Sequence, residues 1–466
     1  MNPSPELRRD ISLWSMFSLS FGAIIGVGWI VMLGGWIAAA GSIGATIAFL
    51  LGGLVIAMIA VAYGEASAAY PASGGDIVFV YHTFGVGAAF AVGWLLLLIY
   101  ISVNGFLSVS AGWIVTELLR QDVAGVPITP AGERAIAIIG IVALAVINAV
   151  GARFATAFQT AATALLVLTS LLFVVASLVN GDFRNLQPYF ANLNASAFDG
   201  VMNVFITTPL WYAGFNVVPQ AMGERAGGVT PRQVVGAMIL GVLGAIAFYA
   251  AVIVSAAMAM PREELLASSL PAAAAFSRAF GAPLLGKAAL FAGLLGLVTS
   301  WNAVFFAGAR VLFALGRARL LPQVFSSVSK RSGAPVNALA FITAASAGLV
   351  LLGRDNIANL ANVSGIGFTL LFLCASISAL KLRMRARGRG GALSFLMIVF
   401  AALASAAIAA IALWGARPAA QSPLSIEWLI LLLWAGLGAL LWIMLGAYRS
   451  QMPDRQRGEV LLSAID

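Results

Sequence analysis

Charged residues in this 466-residue chain fall into clusters separated by long apolar runs. The first run, between Asp10 and Glu65, contains no Asp, Glu, Lys or Arg and is long enough for two helices joined by a tight turn near Gly41-Ser42. The later runs approach or exceed the ~20 residues a helix needs to cross the hydrocarbon core of a bilayer. Together they predict twelve helices, at about 12–39, 43–69, 87–118, 134–150, 156–179, 200–222, 233–260, 287–314, 335–353, 357–382, 391–415 and 426–448. A β-barrel is excluded, because its strands of ~10 residues alternate between two faces, whereas these runs are continuously apolar. The connections are short and leave no soluble domain. The segment 261–281 reads as an external amphipathic helix, and Lys381 to Arg389 as a basic loop that anchors the topology.

Composition makes lipid the fitting solvent. Hydrophobic residues make up 61% of the chain and charged residues 9%, against about 25% charged in soluble domains, and mean hydropathy is +1.00. The net charge of +9 raises nucleic acid as a partner, but its distribution argues against one. With an even number of spans and a cytoplasmic N-terminus, eighteen of the 26 basic residues fall on the cytoplasmic side. That bias is the positive-inside pattern, and anionic lipid headgroups are its natural counterpart. Both termini are thus expected in the cytoplasm of a cell that carries the protein in its inner (plasma) membrane. Cys374, the single cysteine, excludes a disulfide framework. The first apolar run exceeds a signal-peptide core and reads as a permanent helix.

Two spans are chemically irregular. Span 1 holds Gly22, Gly26 and Gly28, each weakening a helix by roughly 1 kcal/mol relative to Ala. Span 6 holds Thr207-Thr208-Pro209, then Tyr212-Ala213-Gly214-Phe215 and Pro219, where each proline removes a backbone donor. The irregular spans lie five apart, so one crosses outward and the other inward. That predicts a 5+5 inverted repeat, residues 12–179 and 180–390, followed by two C-terminal helices in 391–448, with tails at 1–11 and 449–466. Interrupted spans at matching positions of two halves point to a substrate site.

At these residues the chain resembles the amino acid–polyamine–organocation family of permeases. Gly22-Ala-Ile-Ile-Gly-Val-Gly28 is similar to its first-helix glycine motif, and Tyr63-Gly64-Glu65 through Tyr70-Pro71-Ala72-Ser73-Gly74-Gly75 to the stretch after its second helix. Tyr212-Ala-Gly-Phe215 with Pro219 to Glu224 resembles its broken sixth helix, and Arg310-Val-Leu-Phe-Ala-Leu-Gly-Arg317 with Leu320-Leu321-Pro322 the end of its eighth. The resemblance implies an all-α membrane protein with the leucine-transporter-type fold, and substrates bearing an α-amino and usually an α-carboxylate group.

Few ionisable groups occupy the spans, with Glu65, Glu117 and Arg310 near their ends, so a charged substrate must be held mainly by backbone. Amides near Gly22, Ala23, Ile25, Gly26 and Gly28 would meet a carboxylate, glycine letting the ligand approach. Carbonyls near Trp211, Tyr212 and Gly214 would accept from an ammonium. By resemblance, Asn104 and Trp301 line the pocket, and Tyr212 and Phe215 add aromatic surface. Asn104 also reads as an interhelical amide, and Trp301 as packing. No acidic group meets a second substrate cation, which favours neutral amino acids. No enzymatic cofactor is expected. Gly22, Ile25, Thr299 and Ser300 form a candidate sodium set of carbonyl and hydroxyl oxygens, although both hydroxyls could instead bond their own helix. A proton is the less favoured coupling ion, because span 5 lacks the lysine that proton-coupled members of the family carry, its position falling near Leu166. Glu65 and Arg310 are candidate gate residues, with Glu65 reaching Arg225, Arg310 or another base. His82, the single histidine, reads as a solvated loop residue.

One histidine, one cysteine and few acids leave no catalytic set, so an enzyme is not expected. A channel would need a filter of carbonyls or charges, and none is visible. The reading is a secondary transporter for amino acids or related amines, symporter or antiporter, monomer or homodimer. The alternatives are an ion-independent exchanger of amino acids or polyamines and a transporter-like nutrient sensor.

Overall fold

The computed structural model describes residues 7–26, 28–122, 129–191, 196–268, 271–281, 283–353, 357–385, 391–415 and 425–462. Val27 and the Glu117 side chain, both named above, lie outside the described set. The helices run α1 Leu13–Ile24, α2 Gly28–Val31, α3 Leu33–Ala40, α4 Ser42–Ala69, α5 Asp76–Phe84, α6 Val86–Asp122, α7 Pro130–Val150 and α8 Ala152–Asn180. They continue with α9 Ala197–Phe205, α10 Thr208–Trp211, α11 Val217–Ala221, α12 Pro231–Ala259, α13 Arg262–Ala267, α14 Pro271–Phe280 and α15 Pro283–Arg317. The last are α16 Val336–Val350, α17 Ile357–Arg385, α18 Ala392–Gly415, α19 Ile426–Met444, α20 Gly446–Ser450 and α21 Asp454–Leu462.

Nine helices among the described residues are long and apolar enough to cross a membrane: α4, α6, α7, α8, α12, α15, α17, α18 and α19. The other three segments expected from the sequence differ. Span 1 is divided into α1, α2 and α3, span 6 into α9, α10 and α11, and span 9 is the short α16. Local chemistry sets several starts. Ser12, Thr129, Thr230 and Ser425 each cap a helix with the side-chain oxygen, and Thr230 and Gln233 close a reciprocal capping box behind Pro231.

The two interruptions arise differently, one from a redirected backbone donor and one from a missing donor. In span 1, Ile25 N–H still reaches Phe21 O at 3.0 Å, but Gly26 N–H turns back to Ile24 O at 2.9 Å, and the helix resumes at Gly28. In span 6, Pro209 has no N–H for the Phe205 carbonyl four residues earlier, and Thr208 Oγ1 donates to that carbonyl instead at 2.7 Å. Gly214 sits at φ +132°, and a Cβ there would lie 2.6 Å from the carbonyl carbon of Ala23. Glycine therefore lets the two breaks touch.

The long helices hold the breaks in the interior. α1 packs against α12, α8 and α15, α12 also packs against α4, and α6 packs against α15 and α17. The stretch before α1 is pinned to the end of the sixth segment: Ile11 N–H donates to Glu224 O at 2.9 Å and Ile11 O accepts from Ala226 N–H at 2.8 Å. Segment 261–281 forms two short helices rather than one external amphipathic helix. Its second half, α14, is buried, with the Phe276 ring stacked on Phe173 at 3.9 Å, because its alanine-rich face fits between α8, α12 and α15.

Glu224 and Arg310 form a fully buried ion pair. Nε and Nη2 reach the two carboxylate oxygens at 2.8 and 3.0 Å, and the guanidinium lies 3.5 Å over the Phe306 ring. Removing one member strands the other, which costs about 3–5 kcal/mol, whereas replacing both by apolar groups is much cheaper. Arg310→Ala is accordingly expected to lower the melting temperature of the detergent-solubilised protein strongly, and Glu224→Leu with Arg310→Met to restore most of the loss.

Candidate binding site at the helix breaks

A cavity of about 70 Å³ lies between the two breaks. The first break contributes Ala23, Ile24, Gly26 and Gly28, and the second Leu210, Trp211, Ala213 and Gly214. Val103, Phe106 and Leu107 of α6, Tyr249 of α12, Ser300 and Val304 of α15, and Ala361, Ser364 and Phe368 of α17 complete the wall. The wall is thus largely apolar, and its polar elements are backbone at the breaks and a few hydroxyls. Among the described residues, no carboxylate, lysine or arginine lines it.

Of the residues singled out from the sequence, Ala23, Gly26, Gly28, Trp211, Gly214 and Ser300 line this cavity. A Cβ on Gly28 would stand 2.5 Å from the Trp211 ring, so that glycine admits the indole to the first break. The others face elsewhere. Gly22 abuts Gln159 and Thr163 of α8, and the Ile25 carbonyl faces Gly296 of α15. Tyr212 donates from its hydroxyl to Phe49 O at 3.0 Å, and Phe215 stacks on Phe372. Asn104 is buried and donates from Nδ2 to Tyr100 O of its own helix at 2.8 Å, one position away from the wall residue Val103. Trp301 is 2% exposed and packs on Gly140 of α7, where a Cβ would lie 2.6 Å from the ring. It is a packing residue between α15 and α7, because adjacent positions on a helix face about 100° apart and Ser300 holds the cavity side.

The hydroxyls do different work. Ser300 Oγ lies 2.9 Å from Gly22 O and 3.0 Å from Ala23 O, serving carbonyls that the break leaves free. Thr299 Oγ1 donates to Gly296 O of its own helix at 2.9 Å. Tyr249 escaped the sequence reading. Its hydroxyl donates to Trp211 O at 3.0 Å and lies 3.3 Å from Ile24 O, so one side chain bridges both broken helices. A tyrosine inside an apolar span carries no sequence signal that separates it from packing.

The gate candidates have separate partners. Arg310 pairs with Glu224, not Glu65. Glu65 lies 3.4 Å from Arg383 and accepts a hydrogen bond from Ser394, because the end of α4 abuts α17 and α18 there. Arg225 instead donates to the carbonyls of Pro71, Met222 and Val229. His82 is half-buried in α5 and stacked 4.4 Å from the Tyr70 ring, and burial lowers its pKa. That replaces the expected solvated histidine. Asp76, Gln220 and Asn216, also missed, form a buried polar set beneath the cavity.

Comparison with known proteins decides the family. The model of a family described as amino acid permease matches residues 11–440. The chain belongs to the amino acid permease family. Its relatives in this family include cationic amino acid transporter 7, chloroplastic, of Arabidopsis thaliana, 27% identical over 383 residues that make up 79% of this chain and 64% of the relative. The branched-chain amino acid permease BcaP of Bacillus subtilis is 25% identical over 82% of each chain. The methylthioribose transporter of the same organism is 27% identical over 82% of this chain and 83% of that one. The chain thus spans somewhat less than two thirds of the plant relatives it matches. Membership agrees with the permease resemblance read from the glycine and proline motifs, and the family is one of permeases, not enzymes.

Two substitutions separate wall from packing. Trp301→Ala is expected to cost about 3 kcal/mol of stability and leave ligand affinity within about twofold, measured by thermal unfolding and ligand titration. Tyr249→Phe removes one hydrogen bond shared by the breaks, worth about 1 kcal/mol, and is expected to weaken ligand binding about fivefold.

Proposed function

We propose that the chain is a secondary active permease that carries amino acids or related amines across a cell membrane by alternating access. The observation that supports this most is the cavity enclosed by two interrupted helices, which approach one another closely at Ala23 and Gly214. Amides at the start of α2 lack an intrahelical acceptor and suit the substrate carboxylate, and carbonyls around Trp211 and Ala213 suit the ammonium. The α6 and α17 walls hold the side chain. They are largely apolar and, among the described residues, present no acid, so the favoured cargo is a neutral amino acid of medium size.

In this reading twelve spans form two inverted five-helix repeats with two helices added. Both termini are cytoplasmic, in the plasma membrane, and the protein works as a monomer or homodimer. The Glu224–Arg310 pair and the Ile11 clamp then close the cytoplasmic side, while Glu65–Arg383 holds α4 to α17. Sodium coupling through Gly22, Ile25, Thr299 and Ser300 draws weaker support, because Thr299 spends its hydroxyl on its own helix and Ser300 already serves two span-1 carbonyls.

Counterflow of tritiated L-leucine in proteoliposomes tests the reading. Saturable exchange is expected. Gly26→Leu, which presses into the space 3.2 Å from Ser300 Oγ, is expected to reduce it at least about tenfold while leaving the protein folded. Absence of exchange with leucine and every other proteinogenic amino acid would overturn it.

A further inference from the structure

Beneath the cavity a carboxylate is buried without a cation. Asp76 opens α5 and is fully buried, with Oδ2 accepting from Gln220 Nε2 at 2.6 Å and Oδ1 lacking a protein partner. The Tyr63 hydroxyl and Gln220 Oε1 are likewise buried and unpartnered in the same cluster. A buried ionised carboxylate is strongly disfavoured unless paired or hydrogen-bonded, and among the described residues the one side-chain hydrogen bond this carboxylate accepts comes from a neutral amide.

The loop ahead of Asp76 is fitted to the lower part of the second broken helix. Gly75 lies at φ +32°, and a Cβ there would stand 2.6 Å from Pro219 Cβ and 2.7 Å from its carbonyl carbon. Gly74 N–H reaches Gln220 O at 3.4 Å, and Gly223 presses on Ser73. Separating these surfaces would therefore bring water to Asp76. A polar chain also leads up from it. Tyr100 lies within electrostatic range of Asp76 and accepts from Asn216 Nδ2 at 2.9 Å, and Asn216 Oδ1 accepts from Gly214 N–H, on the cavity wall, at 3.2 Å.

We propose that Asp76 is a proton-binding site that couples proton movement to the substrate cycle, taking up one proton through the cavity side and releasing it when the α5 loop parts from the Pro219–Gly223 stretch. This inference rests on the transport reading above. One proton passes from water to the carboxylate and later back to water, and no other bond changes. Among the described residues, the titratable groups facing Asp76 are Tyr63 of α4, Tyr100 of α6 and Cys374 of α17. The charges on the other elements packed against α5 are directed elsewhere. On α15, Arg310 is on Glu224 and Arg317 over Phe313. On α17, Lys381 is over Phe84, Arg383 on Glu65 and Arg385 on His82 O. On α21, Asp454 and Arg457 pair beside Tyr81, and Arg455 pairs with Glu459.

Burial raises the Asp76 pKa to about 7, outweighing the neutral donors near the carboxylate. Hydration returns a carboxyl toward about 3.9. The neutral form therefore favours the closed arrangement. That advantage is complete below about pH 4 and is lost as pH rises to about 7.

Infrared difference spectra of the full chain in detergent, titrated between about pH 5 and 8 across that window, test the site without any substrate. A protonated-carboxyl band with a midpoint near neutrality is expected, lost in Asp76→Asn and retained in Asp76→Glu. Its absence from the wild type, or its persistence in Asp76→Asn, would overturn the assignment. Gln220→Leu removes the donor to the charged form and is expected to raise the midpoint, and an unmoved midpoint would contradict the site. In proteoliposomes, L-leucine entry is expected to acidify a lumen loaded with a pH dye. Acidification per leucine taken up in net uptake into leucine-free vesicles should fall at least about tenfold in Asp76→Asn, and equal acidification would overturn coupling through this residue. Failure of wild-type leucine counterflow would fell the transport reading, while the infrared titration judges the proton site independently.

Discussion

Every backbone polar group at membrane depth needs a partner, and this requirement organises the interior of the permease. Glycines and prolines open two helices where lipid could not satisfy the released groups. The exposed backbone must therefore be enclosed by protein, and it is: Ser300 serves Gly22 and Ala23, Thr208 serves Phe205, and Tyr249 joins Trp211 to Ile24. Both breaks line a shared cavity.

The same rule shapes the region below. Glu224 and Arg310 neutralise one another in full burial, whereas Asp76 accepts from a glutamine amide with the tyrosine side chains of Tyr63 and Tyr100 nearby. One charged group is locked as an ion pair and the other is poised to become neutral. Both hang on the short stretch from Pro219 to Glu224, which the backbone at Ile11 and the Gly74-Gly75 loop contact. Movement of that one stretch would alter the ion pair, the clamp and the carboxylate together.

Much of this was legible in the chain because lipid imposes a simple code. Charge-free runs mark the long helices, and the Gly22–Gly28 and Pro209–Pro219 clusters mark the interruptions. Side-chain direction was not legible. A register that cannot resolve 100° places Trp301 and Ser300 together, yet one packs on Gly140 and the other touches the cavity. Asp76 carries no sequence sign of burial, because it follows Gly74-Gly75 between two apolar runs. Only the fit of those glycines against Pro219 reveals that the loop is buried. Glu224 was hidden similarly, since partnership with Arg310 spans 86 positions.

The claim that main-chain atoms at the two breaks hold the cargo is tested most directly by an experimental density map of the protein with a bound amino acid. The account predicts the ligand between Gly26 and Gly214, with its carboxylate on the amides at the start of α2 and its ammonium on carbonyls near Trp211. A ligand held chiefly by side chains away from both breaks, or uninterrupted helices in their place, would contradict it.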